Sequence, residues 1–276
     1  MSLSRVSLVV PSYNGRPALA RCLATLEREA HDAEVIVVDG GSSDGSREEA
    51  AARPVRLLRV SNFGWAHATN RGFEAATRPV LVTLNSDAYP ARPALLALRE
   101  ALLDPRVGAA GPLLLNEDGS RQATFGLLGA LQRPPRGRPQ ELSFLHGACL
   151  ATRRDVLVRV GGFDENFFLY NEEFDWCLRA RAAGYRLLRV PQGVVHSGGA
   201  SSGRSAALTR EGWRGGRRLL RKHAPAWAAN VAGVVLDAAA RLAGPPESPP
   251  LSLSGRGEVR YEVQDGRLRA LNGGCL

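Results

Sequence analysis

The sequence predicts an α/β fold with a mostly parallel central sheet flanked by helices, and three observations carry that prediction. From Val6 to about Gly111, short aliphatic runs alternate with amphipathic stretches, the pattern of parallel strands joined by crossover helices. The aliphatic runs are apolar at consecutive positions, as strands buried on both faces require. Polar residues uncommon in strands gather just past the strand ends, where an open α/β sheet binds its ligands.

Strands are expected at 6–10, 34–39, 55–60, 80–84 and 107–110. Helices are expected between them at 17–30, 46–52, 65–76 and 93–103. Pro17 and Pro93 are tolerated there, because a first-turn residue has no intrahelical partner for its N–H. Past Gly111 the alternation weakens. Leu113 to Leu115 with the turn 116–120 reads as a hairpin, and the Gly-, Pro- and Arg-rich stretch 124–140 as a loop. Order returns at 144–151, followed by a helix from about Arg153, a helix over 171–183, and a strand pair at 185–190 and 194–196. Residues 206–243 read as one or two C-terminal helices broken near Pro225, and 244–250 as a proline-rich linker. Residues 258–263 and 267–271 flank Gln264-Asp265-Gly266 as a terminal hairpin.

At 276 residues and 44% apolar the chain can bury a substantial core. Its formal charge of +9 comes almost entirely from arginine, since Lys222 is the only lysine. A basic surface can meet nucleic acid, anionic lipid or a phosphorylated substrate. With no zinc-finger spacing and no aromatic-rich RNA signature, no nucleic-acid partner is expected. Cys22, Cys149, Cys177 and Cys275 are far apart and lack metal-site spacing, which points to a reducing compartment. The first apolar run is too short for a signal region, and no run of about 18 apolar residues occurs. The expectation is a cytoplasmic protein with peripheral contact at the inner face of the membrane.

The chemistry gathers in four places. Pro11-Ser12-Tyr13-Asn14-Gly15 follows the first strand, and Asp39 to Ser46, with Gly41 and Asp44 within it, follows the second. Asp39 can accept a hydrogen bond from a base or ribose, or anchor a turn. Asp44 can equally cap a helix. Asn85-Ser86-Asp87 follows the fourth strand, where hard carboxylate oxygen suits magnesium or manganese beside a diphosphate. Residues 161–177 hold five acids, among them Glu172, Glu173 and Asp175. One of these three can remove a proton from an acceptor hydroxyl, or serve only the helix dipole. Helical spacing lets Asp175 pair with Arg179. His196, just after an aliphatic pair, can add a nitrogen ligand to the same metal. No GxGxxG occurs and Lys222 lies in no P-loop, so dinucleotide and Walker sites lose support.

Taken in order, these motifs resemble family 2 glycosyltransferases of the GT-A fold, in particular the bacterial rhamnosyltransferase-like branch. The resemblance rests on Val-Val-Pro-Ser-Tyr-Asn-Gly at 9–15, Val-Val-Asp-Gly-Gly-Ser-Ser-Asp-Gly-Ser at 37–46, Asn62-Phe63-Gly64 with Asn70-Arg71-Gly72, Leu84 to Asp87, Gly162 to Glu165, Glu172 to Asp175, and His196. It implies a GT-A nucleotide-diphospho-sugar transferase fold over 1–205, with a nucleotide-binding half at 1–111 and an acceptor-side half at 112–205. A helical extension would follow at 206–243, then the linker and hairpin at 244–276. Pro11, Ser12, Tyr13, Asn14, Asp39, Gly41, Asn70, Asn85 and Ser86 would lie at the donor. Asp87 and His196 would bind Mg2+ or Mn2+, and Glu173 would be the base, with Glu172 its rival. The implied reaction is inverting transfer from a nucleotide-sugar donor, dTDP-rhamnose by branch, to a glycan or lipid-linked acceptor in cell-envelope polysaccharide synthesis. Asn85 stands where the family commonly has a second aspartate. Two other readings are a nucleotidyltransferase, disfavoured by the missing lysine-containing Gly-rich loop, and a non-catalytic glycan- or nucleotide-binding protein that retains the fold.

Overall fold

A computed structural model describes residues 2–122, 137–198, 206–242 and 253–271. Most of the 124–140 stretch and all of the 244–250 linker lie outside them. The first half follows the sequence closely: β1 (Val6–Ser12), α1 (Arg16–Glu29), β2 (Glu34–Asp39), α2 (Ser46–Ala51), β3 (Arg56–Arg59), α3 (Trp65–Ala75) and β4 (Val80–Leu84). A three-residue strand not expected from the sequence, β5 (Ala88–Pro90), precedes α4 (Arg92–Ala101) and β6 (Val107–Leu115). Then come β7 (Gln140–Glu141), β8 (Cys149–Arg153), α5 (Arg154–Val160), α6 (Glu172–Ala182) and β9 (Arg186–His196). The chain closes with α7 (Ala206–His223), α8 (Ala226–Leu242), β10 (Tyr261–Gln264) and β11 (Arg267–Ala270).

The large sheet runs β3-β2-β1-β4-β8-β6-β9-β5, with β7 also paired to β9. Strands β1 to β4 are mutually parallel, and β1 pairs with both β2 and β4. The crossovers therefore diverge at β1, which opens a crevice at its carboxyl end. Beyond β4 the sheet is mixed, because β8 inserts antiparallel between β4 and β6.

Alternation along β1 splits the core into two layers. Leu8 and Val10 pack with Leu19, Leu23 and Leu26 of α1 and Leu95 and Leu98 of α4. Val9 points the other way, into a layer with Ile36, Phe73, Phe163 and Trp176. Val259, Tyr261 and Leu268 from the terminal hairpin region are buried in that second layer. Asp265 and Gly266 both have positive φ, the geometry of a tight hairpin turn.

One expectation needs correcting. The strand pair at 185–190 and 194–196 is a single strand, β9, parallel to β6. Its register against β6 shifts between Gly111 and Leu113, opposite Pro191 and Gln192, so the proline's missing N–H falls where the ladder is already interrupted. Among the described residues, no helix is long and apolar enough to cross a membrane.

Candidate active site

The carboxyl ends of β1 and β2 are tied together by their own loops. Pro11 and Ser12 end β1 as buried residues, while the Tyr13 ring is 47% exposed beside Gly40. Asn14, at φ 48°, donates its backbone N–H to Ser42 Oγ at 3.0 Å and accepts from Ser43 N at 2.8 Å. Asp39 is buried and accepts from the backbone amides of Gly41 (3.1 Å) and Ser42 (3.2 Å), so its carboxylate shapes this loop from inside. Asp44 reaches across to α1, accepting from Arg16 N at 2.9 Å and from Ser46 N at 3.0 Å. Burial opposes its ionisation, but these hydrogen bonds hold its carboxyl below the ordinary range.

At the end of β4 the chain turns through Asn85-Ser86-Asp87 into β5, whose Ala88 pairs with His196 of β9. That pairing sets His196 Nε2 3.2 Å from Asp87 Oδ1, both side chains being buried. Gln122 donates through Nε2 to the His196 carbonyl at 3.0 Å, which turns its Oε1 toward His196 Nδ1 at 2.8 Å. An oxygen there only accepts, so Nδ1 donates to it and Nε2 is the ring nitrogen that faces Asp87. His146 lies beside His196, with ring centroids 5.7 Å apart and planes inclined at 59°, and burial pushes its imidazole down to about 4.

Glu173 approaches the same place from α6. Trp65 links the two regions: its Nε1 donates to Asn85 Oδ1 at 3.0 Å, and its ring lies over Gly147. A methyl group on Gly147 would meet Trp65 Cη2 at 3.4 Å and Glu173 Cβ at 3.6 Å. Glu172 and Glu173 are both buried, and each keeps one oxygen, Oε2, with no hydrogen-bond partner among the described residues. Burial raises both carboxyls. The charge of Glu173 adds to the effect on Glu172, while the amides of Glu173, Gly147 and Asn171 restrain Glu173. The turn into α6 is strained, with Tyr170 and Asn171 both at positive φ.

Two expected site residues lie elsewhere. Asn70 is fully buried and bridges α3 to the 163–165 segment, donating to Phe163 O and Glu165 Oε1 at 2.9 Å and accepting from Phe163 N at 3.0 Å. Asp175 faces away from Glu173 and pairs with Arg179 at 2.8 Å, as its spacing predicted, and with Lys222 and His223. Trp65, Gln122 and His146, which the sequence reading passed over, belong to the site. Each is ordinary in sequence and acquires a role only through β8, β9 and the turn at 116–120.

Residues 7–161, more than half of the chain, match the sequence model of glycosyl transferase family 2. The chain belongs to this family. It is 31% identical over 240 residues to an N-acetylglucosaminyl-diphospho-decaprenol L-rhamnosyltransferase of Mycobacterium tuberculosis, covering 72% of this chain and 78% of that protein. A pre-mycofactocin glycosyltransferase of the same species is 29% identical over 201 residues, which span 69% of this chain and 42% of the relative. In structure the chain is similar to a mannosyltransferase from Pyrobaculum calidifontis solved with GDP-Man and Mn2+. The TM-score is 0.58 at 24% identity, over 87% of this chain and 76% of that one. It is also similar to TarS of S. aureus in complex with UDP, with a TM-score of 0.58 at 14% identity over 87% and 70% of the two chains. These likenesses show the GT-A fold, and the family and its named relatives make the chain a glycosyltransferase.

Proposed function

We propose that this glycosyltransferase inverts the anomeric centre, taking a sugar from a nucleoside-diphosphate donor in a single displacement. The observation that carries the reading is the convergence of Glu173, through Gly147 and Trp65, on the Asn85–Asp87 turn where His196 docks. The acceptor hydroxyl oxygen bonds to the anomeric carbon as the bond to the diphosphate breaks. The diphosphate leaves with the electron pair, and the hydroxyl proton passes to Glu173. Its buried, partnerless Oε2 suits proton capture, because burial makes the carboxylate a stronger base than an exposed glutamate.

The Asp87–His196 pair fits a divalent ion. A carboxylate oxygen and a ring nitrogen face one another, and the opposite ring nitrogen is held by Gln122. With two side-chain ligands, water and donor phosphate oxygens would complete the shell. A cation bound there supplies positive charge for the departing diphosphate. Asn85 contributes no carboxylate, and its amide oxygen is already engaged by Trp65.

The rhamnosyltransferase relative supports rhamnose as the transferred sugar and a lipid-linked glycan as the acceptor, with dTDP-rhamnose the donor by branch. Peripheral contact with an anionic bilayer from the cytoplasmic side fits such an acceptor. Trp227, Val231, Val234 and Val235 of α8 are 63–73% exposed, next in sequence to the arginines Arg217, Arg218 and Arg221 of α7.

One experiment tests the reading: turnover and nucleoside-diphosphate binding of Glu173→Gln and Asp87→Ala, with and without Mn2+. Glu173→Gln should lose about 10²–10⁴-fold in turnover and still bind nucleotide. Asp87→Ala should lose the metal-stimulated part of binding. Wild-type turnover in the first would remove the base, and unchanged metal stimulation in the second would remove the metal ligand.

A further inference from the structure

Lys222 stands among three carboxylates from three separate segments. Its Nζ is 2.8 Å from Asp164 Oδ2, 2.7 Å from Asp175 Oδ1 and 2.5 Å from Glu258 Oε1. These are the acids that, among the described residues, lie close enough together to hold a metal ion, and the ammonium sits in their midst. It is also the only lysine in a chain whose 36 lysines and arginines are otherwise all arginine. The geometry accounts for the exception. A compact ammonium with three donors can serve three carboxylates converging from different directions, whereas a planar guanidinium forks onto one.

The three acids join parts of the chain that the family match, ending at residue 161, does not include. Asp175 is in the first turn of α6, Lys222 and His223 end α7, and Glu258 lies just before β10. His223 Nε2 adds a second contact to Asp175 Oδ1 at 2.8 Å. Around Glu258 the backbone pairs strand-like with the 161–165 segment, through Gly162 N to Val259 O at 2.7 Å and Glu165 N to Gly257 O at 2.8 Å. Farther up α7, Asn171 Nδ2 donates to Gly212 O at 3.1 Å. A methyl group on Gly215 would lie 2.8 Å from both Tyr170 O and Asn171 Nδ2. The strained turn before α6 is therefore braced from the same helix that grips Asp175.

We propose that Lys222 is a positioning residue, the centre of a C-terminal clamp on α6 that sets where Glu173 stands. The proposal rests on the reading of Glu173 as the base. Residues two apart on a helix project about 200° apart, so the clamp holds the rear of the helix while Glu173 faces Gly147 and Trp65. Burial opposes ionisation of Asp175, yet Arg179, Lys222 and His223 together keep its carboxyl below the ordinary range, and Lys222 in turn is raised. Both ends of the pair are thus charged, and Lys222 acts on Glu173 through the backbone of α6 and the turn before it.

The test is Lys222→Met in the full chain, with turnover normalised to nucleotide-binding stoichiometry and with backbone amide exchange followed over residues 168–176. Because the variant leaves acids without their cation and can fail to fold, Lys222→Met combined with Asp164→Asn and Glu258→Gln is the second variant. Asp175 then keeps Arg179 and His223. Misplacing the base should lower kcat per binding site about 10- to 100-fold, with donor KM changed less than about twofold and faster exchange over 168–176. Wild-type kcat per site in the folded triple variant overturns the proposal. So does faster exchange confined to α7 and the hairpin. Wild-type turnover in Glu173→Gln would remove the base assignment instead, and leave the exchange result standing as a property of the helix.

Discussion

Glu172 and Glu173 are neighbours in the first turn of α6, and their burial has a consequence for stability. An unfolded chain releases these protons in the ordinary carboxylate range, while the folded protein holds them to higher pH. Between those values the native state binds more protons than the unfolded one, so stability is full at low pH and falls as pH rises. Glu172→Gln removes one of the two buried acids. It should raise Tm at pH 8 by a few degrees, roughly 2–4 °C per kcal/mol for a chain near this size, and leave Tm at pH 4 almost unchanged. Thermal melts at the two pH values check this, and an equal shift at both would contradict it. The two acids were legible from the acid-rich run at 161–177. Asp175 was legible as an ion-pair partner of Arg179, but its bonds to Lys222 and His223 depend on a helix more than forty residues on, which no local pattern encodes.

The elements most readable from sequence are those whose period and punctuation agree, namely β1 to β4 with α1 and α3 between them. Strands β5 and β7 have three and two residues, too short for alternation to register. β9 was divided in two because Pro191 and Gly193 look like a turn, although the bulge accommodates them. Packing of α3 on the sheet supplies a prediction of its own. Gly72 lies so close to β1 that a methyl group there would fall 2.2 Å from Val9 Cγ1 and 3.1 Å from Val38 Cγ2. Alanine is the better helix former by about 1 kcal/mol. Gly72→Ala should nevertheless destabilise by about 1–3 kcal/mol, because the clash must be relieved within a packed core. Urea unfolding would show a lowered midpoint, and a raised one would mean that α3 moves aside freely.

At the scale of the whole molecule, the alternation that announced a parallel sheet held for β1 to β4 and for the direction of β6, which β8 separates from β4. The antiparallel insertion of β8 joins segments distant in sequence, and so does the return of the C-terminal hairpin to the core, so hydrophobic pattern alone does not specify either. The charge of +9 was visible from composition, but only the fold shows which apolar face accompanies it. On the proposed reading, α8 rests on an anionic bilayer. The protein should float with vesicles containing phosphatidylglycerol, and less so with neutral ones. Trp227→Ala with Val231→Ser should reduce the floated fraction several-fold, since the exposed face then loses its largest apolar side chains. Equal flotation of variant and parent would remove α8 as the contact. Self-association that disappears in the same variant would identify the face as an interface between copies of the chain.

The pairing of β5 with β9 also bears on the order in which the enzyme is made. Asn85 and His196 are 111 positions apart, and β9 joins the sheet between β6 and β5. A chain emerging from the ribosome exposes Asp87 long before the imidazole that faces it has been synthesised. On the proposed reading, in which donor binding uses both, that binding is reserved for chains in which β9 has been made, and unfinished chains would not compete for activated sugars.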